Sequence, residues 1–442
     1  MAAKPWCAVA RMMHSARPLG QDSEVLRAAA SDDSPPLPRW VGWSLTLWVA
    51  LLAADRIDLA GGNAPIVLTP FYLLTPLVIL GGWHARRRGV TGEARRNLDA
   101  YSTLVAALIA VAALSIVRSA DVTTSLGRLA LLIAMAVGTL LVAQLAVLTP
   151  SASAAIARGA RLGLALAAVF GLLELFAFLQ VLPEVWAVGP VTIRLDTAPY
   201  AGIVPRLSGL TSDANRAGLA SLIHLALIWR DRAPIARRGW TSLAGLLILL
   251  TLSRSAVLAA AVAATYVWTR RGGRIVWAST ARPMGLLLLT IASVGLLQPR
   301  WYQSTTRYLE PLAGRLTLDE GSAQDHLLLV ERGVTAATRS VRGTLLGTGY
   351  GTSFLLLRDR FGANRYGNFH SLYLTLWVES GIFALAVMLV LLVRGIQRPT
   401  AWRGPLLGVL GFNFFYQSHV DPAFWLLLAL AWLDPATEAS RD

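Results

Sequence analysis

The stretch WTSLAGLLILLTLSRSAVLAAAVAATYVW, Trp240 to Trp268, is apolar on both sides of one charged residue, Arg254. Arginine-rich segments flank it, RDRAPIARR before and TRRGGR after. Arginine-rich flanks are typical of the cytoplasmic side of a membrane, so both ends are predicted to face the cytoplasm. Each half is shorter than the ~20 apolar residues of a full span. We therefore predict a hairpin of two short helices with Arg254 at its tip, at or below the far surface of the membrane.

Arg254 is for this reason the first candidate functional residue. An arginine at the membrane centre costs ~2.5–3.5 kcal/mol even on the mildest scale, so such residues usually serve a purpose. A fixed cation that faces the outer side suits an anionic lipid head group. The alternative is one long helix with a snorkelling arginine. The distance of Arg254 from either flank favours the hairpin.

Composition supports a membrane protein. The chain has 442 residues, of which 55% are hydrophobic and 15% charged, and its mean hydropathy is +0.55. Water-soluble domains are not built this way. The net charge of +15 could indicate nucleic acid, but the basic residues lie in short loops between apolar spans. We expect the lipid bilayer, and no nucleic acid, as a partner. Cys7 is the only cysteine, which excludes an intramolecular disulfide.

The apolar pattern predicts an all-α polytopic membrane protein with about twelve transmembrane segments. A disordered cytoplasmic tail (1–39) precedes segments 1–9 (40–298), a long loop (299–369), segments 10–12 (370–433) and a short cytoplasmic tail (434–442). The predicted segments are 40–57, 63–83, 99–117, 129–148, 162–182, 217–230, 240–253, 255–268, 283–298, 370–393, 404–418 and 421–433.

Arginine counts predict the orientation. Eighteen arginines lie in five short loops on one side, and seven lie in five short loops on the other. The arginine-rich side is predicted to be cytoplasmic, with both termini inside. The arginine-rich loops are 84–98, 149–161, 230–239, 269–282 and 394–403. The long loop 299–369 and a second loop from Pro183 to Arg216 are therefore expected on the outer side.

His370 is the candidate for proton transfer, because it lies where the chain re-enters the membrane and histidine titrates near neutral pH. By position alone, a packed or solvated histidine is the more common reading. Three nearby features favour a functional role for His370. They are a glycine turn at Gly347, Gly349 and Gly351, the amide of Asn368, and Glu379, a carboxylate within an apolar helix.

Outer-side arginines are the candidates for binding phosphate. Arg206 lies beside Asn215, and a structural role is as plausible for Arg206 as a functional one. For Arg216 an interfacial anchor is favoured, with Ser212 or Asp213 as a helix cap. The long loop offers Arg332 and Arg315, of which Arg332 is preferred because it falls in a predicted amphipathic helix. His224 and Glu174 are expected to be buried and hydrogen-bonded.

Several chemistries lack their motifs. Zinc-type spacing, an acidic pair for a divalent cation, a serine elbow and a nucleotide-binding loop are all absent from the sequence. No metal and no cofactor are therefore expected. The remaining candidates for chemistry are arginines that hold an anionic lipid and a histidine that moves one proton.

At these residues the chain resembles the O-antigen ligase and O-antigen polymerase superfamily of bacterial envelope enzymes, over roughly residues 160 to 400. Two departures are a serine where the family has an asparagine after the histidine, and no clear match for an Arg-x-x-x-Trp stretch. Arg332, Arg315 and His326 all remain open for the second arginine position. The residues that carry the resemblance are Arg206, Gly209, Asn215, Ser253, Arg254, Gly347, Gly349, His370, Glu379 and Gly381.

The resemblance implies a metal-independent glycosyltransferase of the C-type architecture, with one long periplasmic loop, in the bacterial cytoplasmic (inner) membrane. The donor would be a glycan on a polyprenyl diphosphate carrier, and the acceptor a hydroxyl of a glycan or glycolipid. Arg254 and a loop arginine would bind the diphosphate, and His370 would deprotonate the acceptor, with Glu379 orienting the site. A polymerase that joins repeat units and a flippase or transporter of polyprenyl diphosphate lipids are the alternatives.

Overall fold

The structure is a computed structural model that describes residues 37–60, 68–85, 92–197, 205–230, 234–270, 321–361 and 367–433. The predicted ninth segment, Arg315, and nearly all of the two predicted tails lie outside these residues. So does the part of the long loop that precedes residue 321.

The described chain is mainly helical. In chain order the helices are α1 (Arg39–Ala50), α2 (Pro70–Ala85), α3 (Gly92–Ile116), α4 (Val122–Leu148), α5 (Pro150–Phe178), α6 (Ala214–Trp229), α7 (Pro234–Leu250), α8 (Arg254–Arg270), α9 (Gly321–Thr338), α10 (Val341–Leu346), α11 (Ser353–Phe361), α12 (Leu372–Gln397), α13 (Arg403–Phe412) and α14 (Pro422–Leu433). A 3₁₀ turn, Ser418–Val420, links the last two. The strands are β1 (Ile57–Asp58), β2 (Val185–Val188) and β3 (Val191–Arg194).

Four of the described helices are long and apolar enough to cross a membrane: α3, α4, α5 and α12. Two shorter apolar helices, Pro70–Trp83 and Pro422–Leu433, add to them. The chain is thus a helical membrane protein. Eleven of the twelve predicted segments coincide with helices, although α1 ends at Ala50 where the prediction extended to residue 57. The number of spans and their orientation stay predictions.

Helix ends follow local chemistry. Asp121 caps α4, since its carboxylate accepts from the backbone N–H of Thr124 at 2.9 Å. Thr149 ends α4 and directly precedes Pro150, the first residue of α5. Proline suits this first position because its missing N–H would have no partner there.

Buried polar side chains tie the helices together, and the role expected for His224 is confirmed. His224 is 4% exposed, and its Nε2 lies 3.0 Å from the carbonyl oxygen of Val49. Thr46 of α1 similarly donates to the carbonyl of Ala155 in α5 at 3.2 Å. Each of these bonds joins a side chain to the backbone of another helix and fixes the position of one helix along the other.

A small antiparallel sheet departs from the all-α prediction. Its strand order is β1–β3–β2, with Trp186 opposite Ile193 and Ile57 also opposite Ile193. The turn between β2 and β3 contains Gly189 with φ +59°, which suits the first central position of a two-residue hairpin. β-Branched residues dominate both strands, so the local propensity is for strand. The apolar pattern alone did not reveal it.

A buried ion pair attaches this sheet to the helices. Arg56 and Glu174 are 2% and 0% exposed and contact each other directly. Arg56 also donates to the carbonyls of Arg194 and Thr211. Glu174 accepts from the N–H of Gly209 at 2.7 Å and of its neighbour at position 208. Removing one member of such a pair typically costs ~3–5 kcal/mol, because the other charge stays buried. The buried role expected for Glu174 is confirmed.

A second buried contact, the interlock, joins α12 to the glycine turn at 347–351. At Gly381 the helix departs from helical geometry, with φ +80°. Backbone N–H groups of the turn bond to α12, from Thr348 to the carbonyl of Val378 at 2.8 Å and from Gly349 to the carbonyl of Glu379 at 3.0 Å. The turn therefore packs backbone against backbone at the break in the helix.

Gly347→Ala tests this interlock. Its φ of +74° disfavours a side chain, and a Cβ would collide with backbone atoms of Glu379. We expect the free energy of unfolding to fall by more than about 2 kcal/mol, read as a lower midpoint of thermal unfolding in detergent. Gly245→Ala is the matched control, because a Cβ there meets open space within a helix. It should leave the midpoint unchanged or raise it, and equal losses in both variants would contradict the interlock.

Candidate functional site

The chain breaks its helix directly before Arg254, between α7 and α8. Thr251, Leu252 and Ser253 lie outside helical structure, and Leu252 has φ +51°. α7 and α8 have 17 residues each, a length of about 25 Å at 1.5 Å per residue. Each could therefore cross most of a ~30 Å hydrocarbon core. Two short helices with Arg254 between them are what the sequence predicted.

Neighbouring segments satisfy the polar groups of the break. Ser253 donates its hydroxyl to Oδ1 of Asn215 at 2.7 Å. Arg206 Nε donates to the carbonyl of Thr251 at 3.2 Å. Arg206 and Asn215, both predicted site residues, are thus at the break: Arg206 bonds its backbone and Asn215 bonds a side chain of it. Arg254 itself is exposed as the first residue of α8.

Two histidines lie edge to face beside this break. The ring centroids of His326, in α9, and His370, just before α12, are 5.1 Å apart at 84°. Arg254 lies close enough to His326 for its charge to lower the pKa of that imidazole, and His326 in turn lowers the pKa of His370. The carboxylate of Asp213 also acts on His370. The structure therefore brings Arg254, His326, His370 and the start of α6 to one place.

The backbone at His370 is held in an unusual conformation. Its φ is +50°, a region that side-chain-bearing residues rarely adopt. The side-chain oxygen of Asn368 accepts from the His370 N–H at 2.7 Å, and Ser371 caps α12. Such strain, of order 1–3 kcal/mol, clusters at functional sites. Ser371, which departs from the family's asparagine, is here a helix cap.

Both histidines are electrically neutral at pH 7. Burial, followed by the neighbouring His326, lowers the pKa of His370 to about 4. Burial and the charge of Arg254 likewise hold the pKa of His326 below its usual range. A neutral imidazole can accept a proton, which a histidinium cannot. The cation of the cluster is therefore Arg254, and the histidines can act as acceptors.

Three helices, α6, α8 and α12, begin within a few residues of members of this cluster. α6 begins after Asp213, whose carboxylate accepts from the N–H of Asn215 at 2.7 Å. Ser253 accepts from the N–H of Ala256 in α8, and Ser371 caps α12. Helix N-termini carry partial positive charge and favour anions. The cap predicted at Ser212 or Asp213 is confirmed for Asp213.

Glu379 points to the glycine turn. Its carboxylate accepts from the N–H of Gly351 at 2.8 Å and of Ser353 at 3.1 Å, and from the Ser353 hydroxyl. It is 3% exposed. These are the contacts of a residue that positions the turn at Gly347 and Gly349. A catalytic role for Glu379 itself finds no support in these contacts.

Of the two predicted loop arginines, the structure describes Arg332 and shows no contact between it and the cluster. Arg332 is exposed on α9, next to Gly333, which packs against Leu374 of α12. Arg315 lies outside the described residues. Of the three side chains that the sequence left open for this position, the structure places His326 at the site. One turn after it, Leu329 packs in the core between α9 and α12, which directs the same helix face inward.

Arg216 occupies a separate ion network on the adjoining rim. Its guanidinium contacts the carboxylates of Asp55 and Asp421. The structural role favoured for it from the sequence therefore agrees with its contacts. The side chain that sequence reasoning missed is Arg56, whose signal was a charge close to an apolar segment with Glu174 inside another.

Within the described ranges, no group of three or more histidine, cysteine or acidic side chains could hold a metal ion. Neither a protein-family model nor a curated protein matches this chain. The geometry of the cluster is therefore the basis for a proposal of function.

Proposed function

We propose that the chain is a glycosyltransferase of the O-antigen ligase type. It moves a glycan from a polyprenyl diphosphate carrier to an acceptor hydroxyl, on the outer face of the bacterial cytoplasmic membrane. The observation that carries this proposal is Arg254, exposed at a helix break and within electrostatic reach of His326, whose ring packs against that of His370. A fixed cation and a neutral proton acceptor are the two groups that a metal-independent transfer from a diphosphate requires.

Arg254 and the converging helix N-termini bind the diphosphate. Charge-assisted hydrogen bonds from a guanidinium to phosphate oxygens are short and bidentate. When the bond between the anomeric carbon and the diphosphate oxygen breaks, negative charge grows on the leaving group. Arg254 stabilises that charge in place of a divalent cation. Arg206 holds the carbonyl of Thr251 and so sets the position from which Arg254 extends.

His370 accepts the proton of the acceptor hydroxyl as the oxygen attacks the anomeric carbon. The new carbon–oxygen bond forms on the face opposite to the departing diphosphate, so the anomeric configuration inverts. The proton passes from His370 to water after product release. His326 packs against the His370 ring and orients it. The strained backbone at His370 keeps the imidazole in one position before substrate binds.

A glycan-transfer assay with the purified protein tests this function. The assay measures polyprenyl diphosphate released from a lipid-linked glycan extracted from the cell of origin, with an acceptor extract present. We expect Arg254→Gln to slow release by about 10²–10³ and His370→Ala by about 10²–10⁴. Arg332→Gln is the control: it removes an exposed arginine away from the cluster and should retain wild-type rates.

The products of the same assay separate the alternatives. Transfer of a whole glycan to a different acceptor indicates a ligase, and a ladder of lengthening lipid-linked chains indicates a polymerase. If the wild type moves the lipid across vesicles but releases no polyprenyl diphosphate, the transferase proposal is wrong and a flippase or transporter takes its place.

The pKa of His370 predicts the pH dependence. Because burial and His326 hold this pKa at about 4 in the free protein, His370 is neutral well below pH 6.5. We expect kcat/KM for the donor to stay level as the pH falls from about 8 to about 5.5, and to decline only as it approaches 4.

The acid limb of kcat should lie at higher pH than that of kcat/KM. The bound diphosphate is negative and raises the pKa of His370 in the complex. An acid limb of kcat/KM centred near ~6.5 would contradict a buried His370 as the base. In His370→Ala the residual activity should lack this limb.

A further inference from the structure

The end of α5 has an unusually apolar exposed surface. Along this helix, Val169, Leu172 and Phe176 are 51%, 56% and 45% exposed and follow the spacing of one helical face. α5 is apolar and long enough to span a membrane, so this stripe contacts lipid. The stripe runs to the end of the helix, opposite to its arginine-bearing first half.

The chain leaves α5 in a way that continues this surface. Gln180 adopts φ +60°, Gln180 N–H bonds to the carbonyl of Ala177, and Val181 N–H bonds to the carbonyl of Phe176, both at 2.9 Å. This pattern is a Schellman motif, which turns the chain back against its own helix. Val181 is 68% exposed, and its N–H bond ties it to Phe176, a member of the stripe.

β2 carries the apolar surface further. All four of its residues are exposed, and Val185 and Val188 are 54% and 72% exposed. The indole N–H of Trp186 donates to the carbonyl of Pro183 at 3.0 Å, so the ring can leave water with its polar atom satisfied. β2 is the outer strand of the sheet, and among the described residues no strand pairs with the other side of its backbone. Unpaired backbone groups cannot enter the hydrocarbon core.

We propose that the hairpin of β2 and β3 rests in the head-group region of the outer leaflet of the cytoplasmic membrane. The lipid surface is the occupant because the hairpin follows the membrane-length helix α5 after only six residues, and exposed valines at 181, 185 and 188 succeed the exposed stripe along the chain. Head groups can solvate the edge of β2 while Trp186 and Val188, which share one face of the strand, reach the acyl boundary. Proteins rarely expose so continuous an apolar patch to water.

This contact fixes the height of the candidate site, a consequence that rests on the proposed function. Arg56 bonds the carbonyls of Arg194, in β3, and Thr211. Its partner Glu174 holds the N–H groups of residues 208 and 209. The same segment carries Arg206. A hairpin that rests on the head groups therefore places Arg206 at the level where a lipid diphosphate lies.

A spin label tests the contact. Cys7→Ala removes the only cysteine, and Val188→Cys or Val181→Cys in that background takes a nitroxide. Glu331→Cys, on exposed α9, is the matched control. In liposomes we expect collisions with oxygen, relative to a water-soluble nickel complex, to be more frequent at positions 181 and 188 than at 331.

Two results would overturn the proposal. Equal nickel accessibility at all three positions would place the hairpin in water. Low accessibility to both oxygen and nickel at 181 and 188 would mean that protein covers them, either a second copy or a partner. The labels report no turnover, so their outcome is independent of the transfer assay.

Discussion

A helix that breaks within an apolar environment must satisfy its freed backbone groups from the same protein, because lipid offers no hydrogen bonds. The described part of the chain has two such breaks. At 251–253 Arg206 bonds the carbonyl of Thr251, and Asn215 bonds the hydroxyl of Ser253. At Gly381 the partners are the N–H groups of the glycine turn, with Glu379 fixing the turn from the other direction. The segments that repair the breaks also carry the candidate site.

Burial decides whether the histidines of the site carry a charge. Arg254 is the exposed cation at the start of α8. His370 is buried enough for its pKa to fall to about 4, so it does not compete with Arg254 as a cation. An anionic ligand would therefore meet one fixed cation, helix N-termini and a proton acceptor. In a low-dielectric surrounding each of these interactions is stronger than it would be in water.

Local chemistry made part of this structure predictable from sequence. Arginine-rich flanks and short halves predicted the break at Arg254, and cap chemistry predicted Asp213. Contacts that depend on tertiary packing were not predictable from the sequence. The Arg56–Glu174 pair joins positions 118 residues apart, and no local pattern indicates it. The same holds for Glu379, whose partner turn lies 26 to 28 residues away. His326 rather than Arg332 reaches the site because the packing of α9 on α12 decides which face turns inward. The three-stranded sheet was missed because its strands have only two to four residues.

We propose that Arg254 opens to the outer side of the membrane at the tip of two short helices. The accessibility of that position in oriented vesicles decides whether it does. With Cys7 replaced by alanine, Arg254→Cys is exposed to a membrane-impermeant maleimide in right-side-out and in inverted vesicles. Arg394→Cys, exposed at the arginine-rich end of α12, is the control. The account predicts labelling of position 254 only in right-side-out vesicles and of position 394 only in inverted ones. Labelling of position 254 only in inverted vesicles, or only after solubilisation, would contradict it.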